Sequence, residues 1–270
     1  MTGRVASLGM YDRPEVRAAN DALWSAVAAH LHAAGVEGVP AELDRTRGLG
    51  DIWNDPGLLL AQCCGYPLVT AWRDRLRYVA TPVYAVPGCE GGTHRSRIVV
   101  RRGESALSLA AFRGRRAAIN DRGSNTGMNL LRDSVARMAD KGRFFGSIIE
   151  TGSHDASARL VAAGGADIAA IDTVSFAHFE RYEPSIAGRL RVLGWTRPVP
   201  GLPLVTAGGT TDRELALLRA AVRAALVDPR LATARAALHL SGVEILRRDR
   251  YDIVARIEAK AVRNGYPVLA

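Results

Sequence analysis

The sequence predicts an α/β protein of two lobes, each a mostly parallel sheet flanked by helices, with a ligand cleft between the lobes. Three observations carry this. Strand-like and helix-like segments alternate along the chain, as parallel sheets with helical crossovers require. Residues 103–196 form a self-contained run of such units. Residues 1–102 end with too few helices to cover both faces of a sheet, and the helices after residue 205 can supply the missing cover. The expected domains are therefore a discontinuous first lobe, residues 1–102 plus 197–270, and a second lobe, residues 103–196, joined by two crossings. A cleft between two such lobes is a natural place for a small ligand.

The elements follow in order. Val5–Met10 reads as a buried strand. Pro14 sits at a helix start, where its missing N–H costs nothing; Val16, Leu23, Val27 and Leu31 keep helical spacing, and Gly35 ends the helix. Val39–Leu43 is a short strand candidate. Asp55-Pro56 is expected to open a second helix through Leu58–Cys64, closed by Gly65. Arg77–Val86 and Arg97–Arg101 read as strands. In the second lobe, Ser108–Phe112 is a short helix, Ala117–Asn120 a strand, Asp121–Asn125 a polar turn and Thr126–Asp140 a helix. Phe145–Glu150 and Ala166–Asp172 are strands around a helix at Ser153–Ala163; a short helix at Val174–Phe179 and a strand at Arg189–Trp195 follow. The proline-rich Arg197–Pro203 reads as a crossing. Leu204–Thr206 is a strand, and Thr211–Val227 a helix whose Thr211 and Glu214 are spaced as a capping box. Asp228-Pro229 starts the next helix, and the last runs from about Asp252 to Arg263.

The charge balance is unusual. Lys+Arg is 36 against 27 for Asp+Glu, a formal net charge of +9, and only Lys141 and Lys260 are lysines. The arginines are scattered, with no run longer than two and no interleaved aromatics, so a nucleic-acid groove is not expected. A field that steers small anions is. No apolar stretch approaches a membrane span. The opening Met-Thr-Gly-Arg-Val-Ala-Ser-Leu lacks the apolar region of a secretory signal, which predicts a cytoplasmic chain or a mature form. Cys63, Cys64 and Cys89 are an odd set with no metal-ligand spacing, so neither a disulfide framework nor a zinc site is expected, and no cofactor.

The strongest chemical signal is Asn120-Asp121-Arg122-Gly123-Ser124-Asn125-Thr126-Gly127, where an apolar strand runs into a polar loop that opens a helix. Ser124 and Thr126 offer hydroxyls, Asn125 an amide, and Gly127 a close approach to the backbone. With the free N–H groups and positive dipole end of the helix, these can hold a phosphate-like anion without a cationic side chain; the same residues also suit an ordinary helix cap. His154 stands at a second strand-to-helix junction and Asp172 at a third, each readable as a ligand contact or as part of a helix start. Toward the first lobe, Tyr11 ends the opening strand, and Gln62 and Tyr66 follow the apolar Leu58–Leu60 stripe, placed to reach a cleft.

Leu8-Gly9-Met10-Tyr11, the Leu-Leu-Leu-Ala-Gln-Cys-Cys-Gly-Tyr-Pro run, the Ser-Asn-Thr-Gly helix start and the Gly-Ser-His…Gly-Gly-Ala-Asp-Ile-Ala-Ala-Ile-Asp unit occur in this order. Together they resemble the PhnD-like phosphate, phosphite and phosphonate-binding proteins of ABC importers, on the type 2 periplasmic-binding fold. The resemblance implies a solute-binding protein, not an enzyme, that serves an ABC importer or acts as a sensor, with an ABC permease as the importer's partner and a periplasmic location. It implies that Ser124, Asn125, Thr126 and Gly127 cradle the anionic group and that His154 and Asp172 contact the ligand from the same lobe. Tyr11, Gln62 and Tyr66 would close over it by a hinge motion. The alternative is an enzyme on the same fold, similar to the pyrimidine-precursor synthases of thiamin biosynthesis, but their denser cysteine cluster is missing.

Overall fold

The computed structural model describes residues 3–270; the first two residues of the opening segment lie outside the described residues. The strands are β1 Val5–Ser7, β2 Leu58–Gln62, β3 Leu76–Tyr84, β4 Thr93–His94, β5 Ser96–Arg101, β6 Arg116–Ile119, β7 Ser147–Glu150, β8 Ile168–Asp172, β9 Leu190–Trp195, β10 Val199–Pro200, β11 Leu204–Ala207 and β12 Leu240–Glu244. They divide between two compact units. The first comprises the chain up to Ala85, Glu90–Thr93 and Pro200–Arg250; the second comprises Val86–Cys89, His94–Val199 and Tyr251–Ala270.

The first unit holds a five-stranded sheet in the order β1-β2-β11-β3-β12. Only β1 and β2 pair in parallel; β11 pairs antiparallel with β2 and β3, and β12 antiparallel with β3. The helices Arg17–Ala33 and Asp212–Val227 pack together on this sheet, burying Trp24, Leu31, Leu218 and Val222 against Leu59 and Val79. Each such side chain contributes about 1.5–3 kcal/mol of burial. Thr211 caps the second of these helices, its hydroxyl accepting from the Glu214 N–H at 3.2 Å.

The second unit holds a sheet in the order β7-β6-β8-β5-β9. β6 pairs in parallel with β7 and β8, while β5 runs antiparallel between β8 and β9. Val161, Phe176 and Phe179 from the helices His154–Ala162 and Thr173–Tyr182 cover it, meeting Val99, Ala118 and Ile171.

The fold class is the one expected, a mixed α/β fold with helices flanking its sheets. Four details differ. The sheets are mixed rather than mostly parallel, because the returning strands β5, β11 and β12 enter antiparallel. Leu58–Gln62 is a strand, not a helix. All five residues are buried between β1 and β11, and a short continuous apolar run does not reveal its period. Residues 39–43 form no strand. The unit boundaries also move. Residues 94–102 belong with the second unit, where β5 is an interior strand. The C-terminal residues 251–270 join it too: Asn129 Nδ2 donates to Val254 O at 3.3 Å, Arg132 Nη1 to Pro267 O at 2.6 Å, and the Phe144 N–H to Ala270 O at 2.7 Å.

Candidate functional site

The second unit gathers six of the expected residues at the ends of three neighbouring strands. β6 ends at Ile119 and the chain turns through Asn120–Gly123. Ser124 then caps a π-helical turn, Asn125–Asn129, which passes into the α-helix Leu130–Val135. The wide turn arises at once: the Asn129 N–H reaches back five residues to Ser124 O at 3.0 Å, while the Ser124 hydroxyl accepts from the Gly127 N–H at 3.0 Å. Ser124, Asn125, Thr126 and Gly127 are all buried. No arginine or lysine lies in this turn.

The partners of these side chains differ. Asn125 faces inward, its Oδ1 accepting from Asn129 Nδ2 at 3.0 Å, and Asn129 Oδ1 in turn accepts from Arg132 Nη2 at 2.8 Å. Thr126 Oγ1 lies 3.0 Å from His154 Nε2. Gly127 has no side chain because a Cβ there would collide with the amide of Asn120 and come within 3.1 Å of His154 Cε1. The Asn120 Oδ1 is buried with no hydrogen-bond partner.

His154 opens the helix His154–Ala162, capped by Ser153, whose hydroxyl accepts from the Ala156 N–H at 3.1 Å. The preceding Gly152 adopts φ +85, a left-handed backbone that glycine tolerates without strain. Burial pulls the His154 pKa below the usual 6.5; Asp172 opposes that and His94 adds to it. The Asp172 N–H faces His154 Nδ1 at 3.5 Å, a long contact.

Asp172 caps the helix Thr173–Tyr182, its Oδ1 accepting from the Val174 and Ser175 N–H groups at 2.9 and 3.0 Å. Its other oxygen, Oδ2, lies 3.0 Å from Nδ1 of His94, a residue that no sequence motif marks. Asp172 is 1% exposed and His94 3%. Burial alone would raise the Asp172 pKa; the hydrogen-bonding contact and charge of His94, the charge of His154 and the Ser175 N–H outweigh it and hold the pKa at about 2. Arg97 is likewise unmarked by any motif. Its guanidinium lies over Phe176 at 4.5 Å and Trp195 at 5.3 Å and pairs with Glu180 at 2.9 Å.

Three expected residues belong to the first unit. Tyr11 meets Tyr84 edge-on, with ring centroids 5.5 Å apart. Gln62, the last residue of β2, donates from Nε2 to Tyr84 Oη at 2.9 Å, so Tyr84 joins the two. Tyr66 is partly buried in the short helix Gly65–Val69. Cys63 and Cys64 lie between them, buried and unbridged. Burial pushes the Cys63 thiol well above its ordinary pKa, which leaves it a poor nucleophile.

Two sheet-centred α/β units, each returning its chain to the other, define the periplasmic-binding class of fold, and solved structures bear this out. The binding-protein component of an ABC phosphonate transporter from Pseudomonas aeruginosa superposes with a TM-score of 0.75 at 18% identity, covering 97% of this chain and 87% of that one. PhnD1 from Prochlorococcus marinus, solved with methylphosphonate, gives 0.74 at 13% identity, covering 97% and 98%. XAC2383 from Xanthomonas citri, solved with ATP, gives 0.71 at 16%, covering 98% of each chain. At these identities the likeness carries the fold alone. The comparison with curated proteins returned no match.

The family is set by sequence. The profile of the phosphonate ABC transporter periplasmic substrate-binding proteins matches residues 60–251, and the chain belongs to that family. It is a solute-binding protein of the kind that serves ABC transporters, not an enzyme. Among the described residues, no helix is long and apolar enough to cross a membrane.

Proposed function

We propose that this protein captures a small phosphate- or phosphonate-like oxyanion in the periplasm and delivers it to an ABC permease. The turn capped by Ser124 holds the anionic group, with His154 beside it. Asn125 and Gly127 shape the turn, and Asp172 contributes through the helix start that it caps. In the first unit, Tyr11, Gln62 and Tyr66 are the assigned ligand contacts.

The single observation that supports this most is the pairing of Thr126 Oγ1 with His154 Nε2 at 3.0 Å beside the Ser124–Gly127 turn. On this reading the hydroxyls, the imidazole and the leading N–H groups of the turn serve one anion. Such a set binds tetrahedral oxyanions through directed hydrogen bonds. Membership of a phosphonate-binding family supports the same ligand class. The arginine excess then acts as a general field that concentrates anions, while selectivity resides in neutral groups.

A thermal-shift series tests the reading. Methylphosphonate, phosphite and phosphate at saturating concentration should raise Tm, because a ligand bound only by the folded state stabilises it by mass action. A series in which none of the three raises Tm would count against the ligand class.

A further inference from the structure

The ionisable cluster behind the turn contains a residue that the proposed binding reading does not use. His94 is buried at the end of β4, two residues before β5, and the segment that follows it reaches both sides of the site. One residue on, the Arg95 carbonyl accepts from the Thr173 N–H at 3.2 Å; two residues on, the Ser96 hydroxyl donates to the Thr126 carbonyl at 2.9 Å. Ser96 and Asp172 are cross-strand partners in the β5–β8 register. His94 therefore stands on the backbone that fixes Thr126 on one side and the Asp172 helix start on the other.

The side chains continue the connection. His94 Nδ1 lies 3.0 Å from Asp172 Oδ2; the Asp172 N–H faces His154 Nδ1 at 3.5 Å; His154 Nε2 lies 3.0 Å from Thr126 Oγ1. Asp172 Oδ1 is already spent on two helix N–H groups. Oδ2 faces His94, which thereby bears on how the carboxylate sits.

We propose that His94 is a positioning residue: through Asp172 it holds the His154 imidazole in place against the Thr126 hydroxyl. It does not touch the ligand. It faces Asp172 Oδ2 at 3.0 Å, so that the carboxylate behind His154 is engaged by a partner. The ionisable groups facing this pair include His154, from its helix, and Cys89, from the segment Val86–Cys89. Burial pushes the Cys89 thiol up to about 12, Asp172 acts in the same direction and Arg97 opposes it, so Cys89 remains neutral. The pH response therefore belongs to His154 and Asp172.

The inference rests on the oxyanion reading for its effect on binding, but not for its effect on His154. The experiment is an imidazole NMR titration of His154 together with calorimetric binding of methylphosphonate, in wild type, His94→Leu, His94→Asn and Asp172→Asn. His94→Leu should displace the His154 ring resonances and weaken binding by about tenfold or more, roughly 1.4 kcal/mol. His94→Asn, which restores an N–H donor near the Nδ1 position, should recover most of that affinity and raise the His154 midpoint. Asp172→Asn keeps a good helix cap and should lower the midpoint; it decides the matter if His94→Leu fails to fold. His154 resonances and midpoint unmoved in these variants would overturn the proposal. Resonances that move in a wild-type background binding none of methylphosphonate, phosphite and phosphate would uphold the positioning role and reject the oxyanion reading.

Discussion

Asn120 and Gly127 share one space. The Asn120 amide lies where a Cβ on residue 127 would have to stand, and the His154 ring closes the same volume from another side. Gly127 is therefore needed for packing. Gly127→Ala should push Asn120 aside and destabilise the fold by about 1–3 kcal/mol, the range for overpacking a filled site. Chemical denaturation measures it, and Asn120→Ala should relieve part of the cost in the double variant.

Ser124 has a local role that is separable from ligand binding. Its hydroxyl accepts the Gly127 N–H. Ser124→Ala should cost about 1 kcal/mol of stability, as loss of a helix cap does. Ser124→Asp should retain the cap while setting a negative charge in the turn. Denaturation midpoints near wild type for Ser124→Asp, with oxyanion binding lost, would separate the two roles.

In the first unit, Tyr84 is the hub. It takes the Gln62 amide at 2.9 Å and the edge of Tyr11. Tyr84→Phe preserves the ring contact but strips the buried Gln62 amide of this acceptor. A loss of about 1–3 kcal/mol is expected, the cost of an unsatisfied buried polar group. Adding Gln62→Leu to Tyr84→Phe should return most of it, which a double-mutant cycle would read directly.

Stability should fall toward acid in two stages. The unfolded chain protonates His154 at its ordinary pKa of 6.5, while burial keeps the folded residue neutral to lower pH, so stability declines as pH drops below 6.5. Asp172, held at about 2 against an ordinary 3.8, contributes stability that is fully present above 3.8 and is lost as pH falls toward 2. Tm against pH should lose the first stage in His154→Gln and show a smaller second stage in Asp172→Asn, where Asp44 and Asp228, also held at about 2, supply the remainder.

Much of this was legible in the sequence, and the gaps have physical causes. The strand-turn-helix junctions at Ser124, His154 and Asp172 were visible because caps and polar turns leave local signatures. Leu58–Gln62 was misread because a strand buried on both faces shows no alternation. The π-helical turn was hidden, since nothing in Asn125–Asn129 distinguishes a five-residue reach from a four-residue one. His94 carried no signal at all. It matters only because β5 enters antiparallel beside β8 and brings the segment starting at residue 94 against Asp172, 78 positions later in the chain. The same pairing explains why the unit boundary falls near residue 94 rather than 103.

The central claim is that the Ser124–Gly127 turn with His154 captures an oxyanion. The most direct measurement is calorimetric titration of wild type and of Ser124→Ala/Thr126→Val with methylphosphonate, phosphite and phosphate. One-to-one binding of at least one of these by wild type, weakened by about a hundredfold, roughly 2.8 kcal/mol, in the double variant is the predicted result. Binding of none of the three, or binding that survives the double substitution undiminished, would contradict it.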